Sequence, residues 1–362
     1  MAPPQIIFGT ASFKFPNTAW QDAEAVRELL RTLRDLGVTR LDSAASYPPK
    51  SPGRAEELLG ETKEAAGNDT FLIDTKIATD IRHTGGRGEL TKQAIEASTA
   101  ASLERLQRPE GINILHIHSA DPTTPLEEQA RSFHEQISQG HCKAVGRFHA
   151  VFCSMTGWKI MRDCCFSFSM IADHVISSHK WGVSNVPPSM LEKMLQLCDQ
   201  HGWTKPVCYQ GPYNLVTRGM EKGLLPLLRA HNMAFNSFHS LAAGFLTGKL
   251  IRGEHAGTRF GDDHPSHRRA RQMFGGQDLI NAMKMFDADV KAHGLTSTEV
   301  AYRWLAYHSS LREDDGIIIG ASRLEQVTET VGLIRKGPLP DDVVSLAKGL
   351  WESVKGTRGN NL

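Results

Sequence analysis

A closed (β/α)8 barrel is the fold the sequence predicts, on three observations. Eight short apolar runs of strand type alternate with longer amphipathic stretches, and eight is the number that closes a parallel barrel. The stretches between them repeat their apolar residues with helical spacing. The first run passes straight into FGTASF without the GxGxxG turn that an open, doubly wound sheet usually carries there. A chain of 362 residues, 40% hydrophobic, has core enough for one such domain without covalent staples, so a single domain over 1–362 is expected.

In chain order the strand runs are IIFGT (6–10), VTRLDSA (38–44), FLIDTKI (71–77), INILHIHS (112–119), KWGVSN (180–185), VCYQGP (207–212), AFNSFHS (234–240) and GIIIGAS (316–322). Val26, Leu29, Leu30 and Leu33 make the first helical stripe, and Leu191, Met194, Leu195 and Cys198 a second. Leu324, Val327, Val331 and Ile334 make a third. Thr296 followed by Glu299 has the spacing of a capping box that opens AYRWLAYH. Two stretches break the rhythm. Residues 241–277 form a long polar connection after the seventh strand, on the catalytic face of a barrel, and read equally as a substrate lid or a disordered loop. The other break lies at 145–180.

Composition narrows the function. A net charge of +1 argues against nucleic acid as the main partner, because phosphate binding needs a basic excess. No apolar run approaches the roughly 20 residues of a membrane span. The start, MAPPQIIFGT, has no basic n-region or apolar h-region of a signal peptide. Six cysteines without a CxxC pair are neither a disulfide framework nor a zinc knuckle. A cytosolic protein acting on a small molecule is expected.

The polar residues sit at strand ends. Asp42 ends the second run and Tyr47 follows it; Lys76 closes the third and His118 the fourth. In a barrel these four converge on one mouth. An ammonium beside a phenol favours the ionised form and lowers its pKa from near 10. A carboxylate then fixes the ammonium, and a histidine orients a carbonyl oxygen. The set describes protonation of a carbonyl as it is reduced.

With those residues in hand the chain resembles the aldo-keto reductase family. The pattern D-x-A-x-x-Y stands as Asp42 to Tyr47, with DTKI around Lys76 and LHIHSADPTTPLEE placing His118 in the histidine slot. The resemblance implies Asp42, Tyr47, Lys76 and His118 as catalytic residues. It implies Ser184, Asn185 and Gln210 as ligands of a nicotinamide carboxamide. SFHSLAAGFLTGK resembles the segment whose aromatic stacks under the nicotinamide, here Phe238 where Tyr is commoner, and implies Ser240, Leu241, Gly244 and Lys249 as further cofactor contacts. IIIGASRLEQ resembles the adenosine-phosphate clamp, with Ser322, Arg323 and Gln326; Thr330 stands where the family usually has Asn. Arg323 at a helix start suits a 2′-phosphate, which favours NADPH/NADP. Arg271, beside Arg268 and Arg269, lies where relatives hold a substrate carboxylate. The long loop after strand seven and the C-terminal tail are most similar to the aflatoxin-aldehyde reductase branch, which implies a small carbonyl substrate and a homodimer.

Other readings stay in view. His116 and His118 form an HxH, which metal-dependent hydrolase barrels place on their first strand together with later ligands; here it is on the fourth, so no metal is expected. Asp74 shares strand parity with Lys76 and either competes with Asp42 for it or pairs elsewhere. A non-catalytic nucleotide-sensing module would keep the same cofactor motifs. Removing Val145 to Lys180 leaves SQGHCKA-WGVSNVPP, similar to the family's uninterrupted helix-to-strand junction. The segment holds three of the six cysteines (Cys153, Cys164, Cys165) and no Glu. It reads either as an insertion on the face away from chemistry or as a translated intron. In the second case the chain as given is a disrupted, inactive form. Mature message that uniformly retains the segment would exclude the intron.

Overall fold

The computed structural model describes residues 2–62, 64–65, 70–79, 85–109, 111–142, 180–264 and 266–358. The strands are β1 (Gln5–Gly9), β2 (Arg40–Asp42), β3 (Leu72–Lys76), β4 (Ile114–Ile117), β5 (Trp181–Ser184), β6 (Cys208–Pro212), β7 (Ala234–Phe238) and β8 (Gly316–Ile319). They pair in parallel in sequence order, and β8 closes on β1 through Ile7↔Ile318 and Phe8↔Ile319. The expected barrel is therefore present. Its strands are shorter than the apolar runs, and the polar residues Ser43, His118 and Ser240 lie just beyond their C-terminal ends.

Helices ring the barrel: α1 (Ala23–Asp35), α2 (Arg54–Gly60), α3 (Lys92–Leu106), α4 (Leu126–Ser138), α5 (Pro188–His201), α6 (Leu224–Ala230), α7 (His267–Phe274), α8 (Gln277–Ala292), α9 (Ser297–Tyr307), α10 (Leu324–Arg335) and α11 (Asp341–Arg358). Each forms for local reasons. Asp22 caps α1 by accepting from the Ala25 amide at 2.9 Å, and its Val26, Leu29, Leu30 and Leu33 stripe is fully buried. α5 begins with Pro188 and ends at Gly202 in the left-handed region, φ 66°. At α9 only half of the expected capping box forms. Thr296 accepts from the Glu299 amide at 3.1 Å, but the Glu299 carboxylate turns to Arg303 (2.7 Å) and Lys336 (2.8 Å). Charged donors outcompete a backbone amide for that carboxylate.

The connection 241–277 is more ordered than its composition suggests. It holds a 3₁₀ turn at Ala242–Thr247 and then α7, anchored by buried Ala270 and Phe274. These two apolar residues, four apart, are hidden in the sequence among arginines and histidines. Val145 to His179 lies outside the described residues. The strand that follows is nonetheless seated between β4 and β6, with Leu115↔Trp181 and Gly182↔Cys208 in register. Trp181 stacks on Phe133 at 4.8 Å and its indole donates to the Thr204 carbonyl at 2.7 Å. A one-residue slip would turn this indole away from Phe133 and into the barrel interior.

A polar layer lies inside the barrel below the mouth. Asp74 does not compete for Lys76. It accepts from Arg40 Nε at 2.9 Å and from Asn113 Nδ2 at 2.5 Å. Beside it His116 packs with Nε2 4.0 Å from Cys208 Sγ, and burial with the nearby Lys76 and Arg40 charges keeps it neutral. A Cβ at position 182 would lie 2.7 Å from the His116 ring, so glycine is required there. Among the described residues no helix is long and apolar enough to cross a membrane, and no group of His, Cys, Asp and Glu could hold a metal.

Candidate active site

Three strand ends, those of β2, β3 and β4, deliver the four candidate residues to one place. Lys76 is buried, with Nζ 2.8 Å from both oxygens of Asp42 and 2.7 Å from the Ser43 carbonyl. Its ammonium stands 5.1 Å from the centre of the Tyr47 ring, and the His118 ring meets Tyr47 edge-on at 5.6 Å. The sequence predicts a lowered Tyr47 pKa, and here the structure corrects it. Burial is the largest influence and raises the phenol above its ordinary value, while Lys76 pulls it back down. Asp42 adds a smaller push upward.

His118 is fixed on both sides. Nδ1 is 3.3 Å from Thr79 Oγ1, and the Asn185 amide donates to the His118 carbonyl at 3.1 Å. Burial, then the Lys76 charge, lowers its pKa to about 3, so it is neutral near pH 7. When the Thr79 hydroxyl donates to Nδ1, the proton of the neutral ring sits on Nε2 and is free for a carbonyl oxygen. His239, just past β7, is likewise lowered to about 3 by burial and then Arg259.

These two histidines give a pH-dependent stability. Unfolded, each titrates near 6.5, so the unfolded chain binds more protons below that value. Their stabilising share is complete above about pH 6.5 and is lost as pH falls toward 3. Each adds a slope of about 1.4 kcal/mol per pH unit where only the unfolded form is protonated. Urea unfolding at pH 7, 6 and 5 should show the decline, and His239→Asn should flatten it.

Ser184 ends β5, Asn185 follows it directly, and Gln210 lies on β6. Asn185 adopts φ 54°, with its amide also donating to Ser184 Oγ at 3.0 Å. Gln210 Nε2 donates to Asp42 Oδ1 at 2.8 Å, so the expected carboxamide ligand is also tied to the expected catalytic carboxylate. Phe238 ends β7 half-buried, and the loop after β6 grips the backbone there: the Tyr213 amide donates to the Phe238 carbonyl (3.1 Å) and Asn214 Nδ2 to that of His239 (2.9 Å). Ser240 Oγ donates to the Ile318 carbonyl at 3.1 Å. Leu241 is the N-cap of the 3₁₀ turn that follows, Gly244 lies within it, and Lys249 is half-buried just beyond it.

Beyond β8, Gln326 Oε1 accepts from the Ser322 amide (2.8 Å) and hydroxyl (3.0 Å). Arg323 is the exposed N-cap residue of α10 and makes no ion pair, with Glu325 or any other group, among the described residues. An unpaired guanidinium at the positive end of a helix fits a phosphate. Arg271 is less well placed. It is exposed, donates to the Phe260 carbonyl at 3.0 Å, and lies 3.5 Å from Asp262, so in this conformation it braces its own loop.

The sequence reading missed Arg259. Its guanidinium is close enough to Tyr47, Tyr302 and His239 to shift all three, and it lacks a carboxylate partner among the described residues. Burial lowers its pKa, as expected for an unpaired buried cation. Its one signal in the sequence is an arginine next to the buried Phe260.

A barrel with this mouth is the frame of an oxidoreductase acting on carbonyl groups, and the comparisons agree. The sequence model of the Aldo/keto reductase family matches residues 5–164 and 178–352. The chain belongs to that family. It is 28% identical to the oxidoreductase sirO of Leptosphaeria maculans, over 97% of this chain and 95% of that one. It is 27% identical to an aldo-keto reductase of Pseudocercospora fijiensis (90% and 97%) and 27% identical to human aflatoxin B1 aldehyde reductase member 4 (91% and 89%). The resemblance to the aflatoxin-aldehyde branch therefore holds. The interruption in the match, between 164 and 178, falls inside the segment that breaks the sequence rhythm.

Proposed function

We propose that the chain is an NADPH-dependent reductase of aldehydes or ketones in which Tyr47 delivers the proton. The observation that carries this reading is the buried Asp42–Lys76 pair set under Tyr47, with neutral His118 against the same ring. Bound NADPH would supply a hydride to the carbonyl carbon. The rest falls to the chain's own groups. His118 Nε2–H holds the carbonyl oxygen, and the Tyr47 hydroxyl protonates that oxygen as charge develops on it. Lys76 restrains the rise in the Tyr47 pKa, and Asp42 keeps Lys76 charged and in place. Ser184, Asn185 and Gln210 orient the carboxamide, Phe238 supports the ring, and Ser240, Leu241, Gly244 and Lys249 line its path. Ser322, Arg323 and Gln326 take the adenosine end. Arg259 adds a cation where the path passes Tyr47. The relatives named for aflatoxin B1 aldehyde suggest aldehydes as first substrates; the branch suggests a homodimer, and the cysteine usage a cytosolic location.

The test is consumption of NADPH with a nitro-activated benzaldehyde. Wild-type protein should turn over with NADPH in preference to NADH. Arg323→Ala should weaken NADPH by about 10- to 100-fold, as for loss of a bidentate phosphate contact, and leave NADH nearly unchanged. Equal loss with both cofactors would remove Arg323 from the 2′-phosphate.

A further inference from the structure

The last described residue of α11 is a buried arginine that no catalytic role uses. Arg358 is 8% exposed, and each of its donor nitrogens is engaged. Nε donates to the Val216 carbonyl, Nη1 to the Met273 carbonyl at 2.7 Å and Nη2 to Thr217 Oγ1 at 3.1 Å. The guanidinium lies 4.8 Å over the centre of the Phe274 ring. Among the described residues its partners are main-chain carbonyls, a hydroxyl and an aromatic face, with no carboxylate. Burying a cation without an anion is unfavourable, and burial does lower its pKa. Packing alone would be served better by an apolar side chain.

What sets this arginine apart is where its acceptors lie. Val216 and Thr217 belong to the tight turn after β6, closed by the Asn214–Thr217 backbone pair. The other end of that turn holds the carbonyls of Phe238 and His239 through Tyr213 and Asn214. Met273 and Phe274 end α7, the helix that carries Arg268, Arg269 and Arg271. One guanidinium thus joins the C-terminal helix, the loop that holds the Phe238 platform, and the arginine-bearing helix at the mouth. We propose that Arg358 is a positioning residue that fixes α7 and the loop after β6 against each other, so that the C-terminal helix sets the shape of the substrate side of the active site.

The kinetic side of this proposal rests on the reductase reading above; the structural side does not, and the experiment separates them. Arg358→Met keeps the length and apolar stem but removes the donors; Arg358→Lys keeps the charge without the planar fork. Thr217→Val removes one acceptor only and serves if the first variant folds poorly. Trypsin digestion of the folded protein reads cleavage between 259 and 271 against cleavage elsewhere. Arg358→Met should accelerate cleavage there about tenfold, with Arg358→Lys and Thr217→Val intermediate. With saturating NADPH, KM for the aldehyde should rise about tenfold while kcat changes by less than about threefold, the mark of altered binding rather than altered chemistry. Unchanged cleavage between 259 and 271, or cleavage accelerated equally across the chain, would overturn the proposal. A wild-type protein inert toward aldehydes would overturn the reductase reading instead, and the digestion pattern would still judge the latch.

Discussion

Tyr47→Phe is expected to lower kcat by about a thousandfold, the usual share of a positioned general acid, and to leave NADPH affinity within about twofold. The substitution removes one oxygen. The Tyr47 hydroxyl has a hydrogen bond with Lys76 to lose, but Lys76 keeps its two Asp42 contacts and its Ser43 contact without it. The ring remains to meet His118 edge-on. The loss should therefore appear in single-turnover hydride transfer and not in cofactor titration or melting temperature. Turnover near wild type would remove Tyr47 from the chemistry and leave His118 as the candidate acid. His118 is poorly suited to that part, because a group lowered to about 3 carries almost no proton to give at pH 7. Tyr47, raised by burial, keeps its proton throughout the physiological range.

The barrel was legible in the sequence because its signals are local and repeated. The apolar stripe of α1 and the strand runs at 71–77 and 316–322 specify their own burial. Tyr47 and the three residues around it were legible for a different reason: strand ends in a parallel barrel share one face, so topology brings together residues that the sequence scatters. The sign of the Tyr47 shift was not legible, since it depends on how deeply the ring is buried against Lys76, and spacing carries no measure of depth. Arg259 escaped for a similar reason. It sits in a connection without regular period, and only the folded path of that connection brings it near Tyr47. The Glu299 carboxylate shows the converse: its local spacing indicated a cap, but Lys336, 37 residues away, and Arg303 claimed it.

Lys76→Met should be the more informative variant, because it acts through Tyr47 as well as on the fold. The ammonium is the principal influence opposing the burial-driven rise of the Tyr47 pKa. Without it the phenol becomes a weaker acid and holds its proton to higher pH. Reduction should slow by about 10²- to 10⁴-fold, while its alkaline limb moves upward in pH. Alcohol oxidation, which needs the phenolate, should slow as well, and its acidic limb should move upward in pH together with the alkaline limb of reduction. A residue that merely filled space would slow both directions and leave both pH profiles in place. The fold responds too. Asp42 would be left buried with Gln210 as its remaining side-chain donor, and breaking a buried ion pair from one side typically destabilises by about 3–5 kcal/mol. Pairing the substitution with Asp42→Asn should recover much of that stability, because no unpaired charge then remains, yet should recover none of the rate. Recovery of stability without rate would assign the pair to tuning Tyr47. Recovery of both would assign it to holding the barrel mouth together.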